Sequence, residues 1–337
     1  IFIVALFVLR ECNITSKKSK IITLFCLAAF GYPLINIPVV VWPTVLITEL
    51  IMLFVLKWWR TNALKFLLII GFLLCLLFLI KQNIALIQTL FVNLIILFYP
   101  TRHSIKTTIT SLALVNMFWI IPTATWVYFF FLKDNLSGLT AFISFNQRYL
   151  SIYPFTYPPL SYLLQPLGFL KLLPYYLPIF FFIFLSLTIF QKKTNKKRLV
   201  LFLPLVVFFT TVFPTSDLLH VYPYFGPTLV ALLIFTELRP TPLRKVIFAL
   251  IFLSIFSGFY LTFFREYYRY QPPYRLQNIS VDLPRTSHIL GDAESAQNIN
   301  SVHRFIMTNT HQHDYVFVYS FSPMLYFLLE IQNPSIY

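Results

Sequence analysis

The feature that most constrains this chain is the way its basic residues gather in short clusters between apolar blocks. Those blocks run at about 21–38, 39–56, 66–80, 84–99, 108–131, 174–190, 199–213, 222–236 and 246–264. Several approach the roughly 20 apolar residues that a helix needs to cross about 30 Å of hydrocarbon. Shorter ones would be accommodated by snorkelling Lys and Arg or by local thinning of the bilayer. Only 11% of the residues are charged, against about 25% in an ordinary soluble domain, and the mean hydropathy is +0.76. A soluble globular domain, a disordered chain and a nucleic-acid binder are therefore excluded, despite the net charge of +15. Seven glycines against 22 prolines also argue against a nucleotide fold built on Gly-rich turns. The pattern predicts an all-α polytopic membrane protein of about ten membrane helices.

Charge sets the expected orientation. If the loop Arg10–Lys20 is cytoplasmic and the chain alternates, most of the 26 basic residues fall in cytoplasmic loops, around Lys57–Lys65, Arg102–Lys106, Lys192–Arg198 and Arg239–Lys245. The outer loops before residue 265 keep only Lys81, Lys133, Arg148 and Lys171, as the positive-inside rule requires of short loops. This places a multi-pass protein in the plasma membrane with residues 265–337 outside. The opening run Ile1–Leu9 rises only about 14 Å as a helix. It has neither a basic n-region nor a cleavage site, so it reads as the second half of a membrane helix and the chain as an N-terminally truncated fragment. Cys12, Cys26 and Cys75 read as structural thiols, since their spacing fits neither a disulfide framework nor a metal site.

Two outer regions are long. Residues 133–173 are rich in Tyr and Pro, with Arg148 to Pro159 suited to the headgroup layer. After residue 264 the composition turns polar, and a helix at about 293–310, a strand at 314–319 and a helix at 322–330 predict a small α/β domain, itself incomplete. The domains are thus 1–264 in the membrane and 265–337 outside.

Ionisable groups at the outer membrane face are the functional leads, because burying them near lipid is costly. Lys81 sits between two apolar blocks, where it could meet an anionic headgroup or simply snorkel at a hairpin tip. Arg148 could clamp a phosphate bidentately, or be an exposed arginine in a wet loop. In Pro214–His220, Asp217 and His220 share a helical face at i and i+3. The carboxylate could orient the imidazole or act as a general base, and the same residues also read as a helix cap followed by an interfacial histidine. His303, His311 and His313 lack the spacing of a zinc site.

Three stretches, in order, resemble the multispanning GT-C glycosyltransferases, particularly the bacterial family related to protein mannosyltransferases and aminoarabinose transferases. Leu64 to Gly71, continuing to Leu79-Ile80-Lys81-Gln82, is similar to an apolar Gly-containing helix ending in Lys-Gln. Phe213-Pro214 with Asp217, His220 and Pro223 resembles a late outer-loop pattern, although Thr215 and Ser216 stand where an Arg is common. Asp314–Val318, Leu325–Leu328 and Asn333-Pro334 resemble the outer C-terminal domain. The resemblance implies an inverting transferase that moves a sugar from a polyprenyl-phosphate donor to a lipid, glycan or protein acceptor outside the membrane. It implies Lys81, Arg148 and His220 as contacts to the lipid phosphate. The family's base is an Asp or Glu in a first outer loop, expected upstream of Ile1, so Asp217 is the catalytic carboxylate this sequence itself offers. The superfamily includes enzymes that use a divalent metal ion and others that do not, so no cofactor is assigned.

Two other classes compete. A transporter or lipid flippase would favour charged or broken helices at mid-membrane and an internal repeat. Glu49 is the one acidic residue well inside an expected span, and no repeat is evident. A non-catalytic envelope assembly protein would use the outer domain only to dock partners.

Overall fold

A computed structural model describes residues 1–31, 41–98, 105–133, 158, 160–164, 168–189, 196–212, 218–238, 244–264, 279–280, 283, 290–291 and 293–311. The chain divides into two compact units, Ile1–Phe259 and Tyr260–Tyr337. The first is a helical bundle: α1 (Phe2–Glu11), α2 (Lys17–Gly31), α3 (Val41–Thr61), α4 (Lys65–Ile80), α5 (Gln82–Leu97), α6 (Ile105–Val127), α7 (Gly168–Ile189), α8 (Phe202–Val212), α9 (Leu218–Leu238) and α10 (Arg244–Phe264). A π turn, Tyr128–Leu132, extends α6, and short 3-10 turns cover Leu160–Leu164 and Lys196–Leu201.

Helix α9 is the central post, packing against α2, α3, α7 and α8. In its apolar stretch 89% of the residues are buried within the protein, against 22% for α6, so α6 lies at the periphery. Tyr222, Tyr224, Phe225 and Phe235 of α9 are all buried, and Phe30 of α2 meets Tyr222 and Phe225 edge-on at 5.2 and 4.9 Å. Phe181 and Phe184 of α7 close on Phe235 at 5.7 and 5.4 Å. Large rings at these offset geometries explain how a chain so rich in Phe packs tightly. Elsewhere a small residue sets the spacing. A Cβ added at Gly71 in α4 would stand 2.6 Å from Phe118 Cβ and 2.8 Å from the Val115 carbonyl oxygen of α6, so this crossing is as close as backbones allow. A reciprocal amide pair, Asn93 on α5 with Asn116 on α6 at 2.9 and 3.1 Å, ties a neighbouring contact.

The protein is a membrane-embedded helical protein: Trp42–Thr61, Ile105–Thr125, Gly168–Thr188 and Val221–Leu238 are long and apolar enough to cross a bilayer. The expectation of about ten membrane helices exceeds these four spans among the described residues. Three further apolar helices, Lys65–Ile80, Gln82–Leu97 and Arg198–Thr211, are shorter, and 16 residues of helix rise only about 24 Å. Hydropathy blocks register apolar content and do not measure helix length, which is why the sequence overcounts. Helix α7 begins at Gly168, within the stretch 133–173 read from the sequence as an outer loop.

In the second unit, Ile279 pairs with Gly291 and Ser280 with Leu290 in a two-residue antiparallel ladder, and α11 (Ala293–Asn309) follows. Ala296 and Ile306 are buried, while the apolar side chains of Val302, Phe305 and Met307 are exposed. These described residues do not amount to an α/β domain. The expected strand at 314–319 and helix at 322–330 lie outside the described residues.

Candidate polar site at one end of the bundle

The bundle has two chemically distinct ends. At one end Arg60 of α3 pairs with Glu11 of α1 at 3.1 Å. The Ser19 hydroxyl of α2 donates to Glu237 of α9 at 2.9 Å, and Glu237 also pairs with Arg244 of α10 at 2.9 Å. Five helices, α1, α2, α3, α9 and α10, therefore begin or finish there.

Lys81 is at the opposite end, as the single residue between α4 and α5. Its extended backbone (φ −153°, ψ 94°) interrupts the helix. Its N–H still closes α4 on the Leu77 carbonyl at 2.7 Å, and its carbonyl opens α5 by accepting from Ala85 at 3.1 Å. The hairpin is thus turned by one lysine. The Nζ lies over the ring of Tyr224 in α9, 5.8 Å from its centroid, a cation–π geometry. Burial in this position pulls the ammonium down to about 8, because the charged form loses hydration.

Tyr224 is 2% exposed, and its hydroxyl points at the hydroxyls of Thr44 in α3 and Thr211 in α8, closing a hydrogen bond to neither. Beside it lies a cavity of about 10 Å³, lined by Val45, Thr48, Pro204, Val207 and Pro227. That is close to the volume one water needs, about 10–15 Å³. Thr48 donates to the Thr44 carbonyl at 2.8 Å and accepts from the Gln88 amide of α5 at 2.8 Å. Gln88 is fully buried and its Oε1 has no partner among the described residues. A polar seam therefore runs from Lys81 past Tyr224 to Thr44, Thr48 and Gln88, contributed by α3, α5 and α9 with Thr211 of α8 alongside.

Of the residues read from sequence, Lys81 is a member of this seam. His220 lies in the first turn of α9, one helical turn before Tyr224, which puts its backbone at the Lys81 end. Asp217 and Arg148 lie outside the described residues. Sequence reasoning passed over Tyr224, Thr44, Thr48, Gln88 and Thr211 because it weighed charged groups. The available signals were Thr44 and Thr48 at i and i+4 in an apolar block, and two amides, Gln88 and Asn93, inside another.

Glu49 sits on a different face of α3, 4% exposed, with its Oε2 unpaired among the described residues. It borders a second cavity of about 10 Å³ together with Val8 of α1 and Pro227 and Val230 of α9. Among the described residues no three His, Cys, Asp or Glu side chains come together as a metal-binding group.

Compared with protein-family models, with curated proteins and with solved structures, the chain matches none.

Proposed function

We propose that this protein is a membrane glycosyltransferase of the GT-C type, which moves a sugar from a polyprenyl-phosphate-linked donor to a lipid, glycan or protein acceptor at the outer face of the plasma membrane. The observation that carries the reading is Lys81: a lone cation at the tip of an apolar hairpin, held over Tyr224 at the end of the bundle remote from the basic clusters. An amine at the edge of hydrocarbon, backed by a polar seam, suits a phosphate on a lipid tail. The short helices α4, α5 and α8 then belong to the membrane domain with the four longer spans, and the second unit is extracytoplasmic.

In this reading Asp217 takes the proton of the acceptor hydroxyl. The oxygen attacks the anomeric carbon of the sugar, and the bond from that carbon to the phosphate oxygen breaks. The electron pair leaves on polyprenyl phosphate, where Lys81, Arg148 and His220 offset the developing charge. The test is transfer of labelled sugar from a panel of polyprenyl-phosphate sugars by membranes containing the protein. Lys81→Gln and Asp217→Asn are each expected to lower transfer by roughly 100-fold. Lys81→Gln should act mainly through KM for the donor and Asp217→Asn mainly through kcat. Transfer at the unmodified rate in both variants contradicts the proposal.

Glu49 favours a second reading, a transporter or lipid flippase, since a buried carboxyl inside a membrane bundle is a common proton-relay position. Uptake into proteoliposomes that Glu49→Gln abolishes, with no sugar transfer, would support it.

A further inference from the structure

Helices α2 and α10 run side by side and enclose a cleft of about 660 Å³, within the range of roughly 300–1,000 Å³ typical of small-ligand sites. Their backbones come close at Gly258, where an added Cβ would stand 2.8 Å from the Ala29 carbonyl oxygen. Nearby, Phe25 meets Phe259 edge-on at 6.5 Å. Between that contact and the basic end of the bundle, the walls are Ile21, Ile22 and Phe25 on α2 and Phe252 and Phe256 on α10, with Lys17 and Lys18 at the mouth. Ile21, Phe25, Phe252 and Phe256 are each about half exposed, so the cleft opens sideways onto the surroundings of the bundle.

The charge at the mouth has one sign. Lys18 Nζ and the Arg244 guanidinium lie over the same Phe248 ring, at 5.1 and 5.6 Å. The nearby carboxylate, Glu237, is already engaged by Arg244 and Ser19. Among the described residues neither Lys17 nor Lys18 forms an ion pair. The cleft thus offers an apolar slot along the helices and, at its mouth, two ammonium groups that form no ion pair among the described residues.

We propose that this cleft is a binding site for an anionic phospholipid, with the phosphate on Lys17 and Lys18 and an acyl chain along Phe25, Phe252 and Phe256. The site is at the end opposite Lys81, so it is separate from the proposed donor site and does not rest on it. Its predicted role is to hold a structural lipid that wedges α10 against α2, where the two helices otherwise meet at Gly258.

Native mass spectrometry of the full chain, released from detergent after exposure to defined lipids, tests this directly. Phosphatidylglycerol is expected to be retained at least tenfold better than phosphatidylcholine, because juxtamembrane lysines attract anionic headgroups. sn-Glycerol 3-phosphate, which has the phosphate but no chains, is expected not to bind. Lys17→Gln/Lys18→Gln should lose about tenfold in phosphatidylglycerol retention, and Ile21→Trp, which fills the slot at unchanged charge, should lose as much. The control Lys65→Gln/Lys106→Gln removes two exposed charges elsewhere and should change nothing. Equal retention of the two lipids would show an unselective apolar contact and overturn the proposal. Binding of glycerol phosphate as tight as that of the lipid would make it a free-phosphate site, and undiminished retention by the double variant would remove the headgroup contact. Either result also overturns it.

Discussion

Gln88 and Thr48 make a one-way pair: the amide needs the hydroxyl more than the hydroxyl needs the amide. Thr48 also donates to the Thr44 carbonyl, whereas Gln88 keeps one bond and one unpaired acceptor inside the bundle. Thr48→Val strands the whole amide and is expected to cost about 1–3 kcal/mol, the penalty for a buried polar group left unmade. Gln88→Leu removes the bond and the orphan acceptor together and is expected to be neutral to within about 1 kcal/mol. Thermal unfolding in one detergent compares them, and equal losses would refute the asymmetry. Lys81 was legible in the sequence because a charge between two apolar blocks stands out. Tyr224 was not, because its sequence neighbours give no sign that a lysine far away in the chain lies on its ring. The pairing is made by α4 and α9 both packing on α3, which is a long-range property.

Helix crossings carry the next prediction. Gly71→Ala puts a methyl 2.6 Å from Phe118 Cβ and 2.8 Å from a backbone oxygen, and neither atom is the end of a flexible side chain. The expected loss is about 1–3 kcal/mol, as for overpacking a tight interior. Gly226→Ala meets nothing nearer than the Cys26 carbonyl oxygen at 3.0 Å, with Leu27 at an ordinary 3.6 Å, and should cost less. Thermal midpoints of the two variants rank the crossings, and a larger loss at Gly226 would contradict the geometry. The elements themselves were largely legible: the block at 39–56 corresponds to α3, 108–131 to α6 and its π turn, 222–236 to α9, and the helix at 293–310 to α11. Element ends were less so. Pro174 and Pro178 sit inside α7 and Pro223 and Pro227 inside α9. Each proline reads locally as a breaker, but neighbouring helices tolerate the lost hydrogen bond inside a bundle. That is why α7 begins earlier than the Pro- and Tyr-rich sequence suggests.

For the whole molecule, the proposed orientation puts Lys81 outside and the basic clusters inside. Cys12, Cys26 and Cys75 are all buried, so single cysteines introduced at Asn83 and Thr61 can be labelled against a low background. A membrane-impermeant maleimide applied to intact cells is expected to modify Asn83→Cys and not Thr61→Cys. The reverse pattern would turn the protein over and remove Lys81 from the outer face. The most direct measurement is the affinity of the purified protein for a polyprenyl phosphate, followed from pH 6.5 to 9.5 in wild type and Lys81→Gln. Because burial lowers the Lys81 ammonium to about 8, the wild-type lysine is charged below that pH and loses its proton above it. The folded chain gives up this proton before the unfolded chain does, so stability rises with pH between about 8 and 10.4, while binding of the anion falls. The expected result is binding that weakens by tenfold or more as pH rises through 8, and a variant that binds weakly at every pH. A variant that binds as tightly as wild type, with the same pH profile, would contradict a lipid-phosphate site at Lys81.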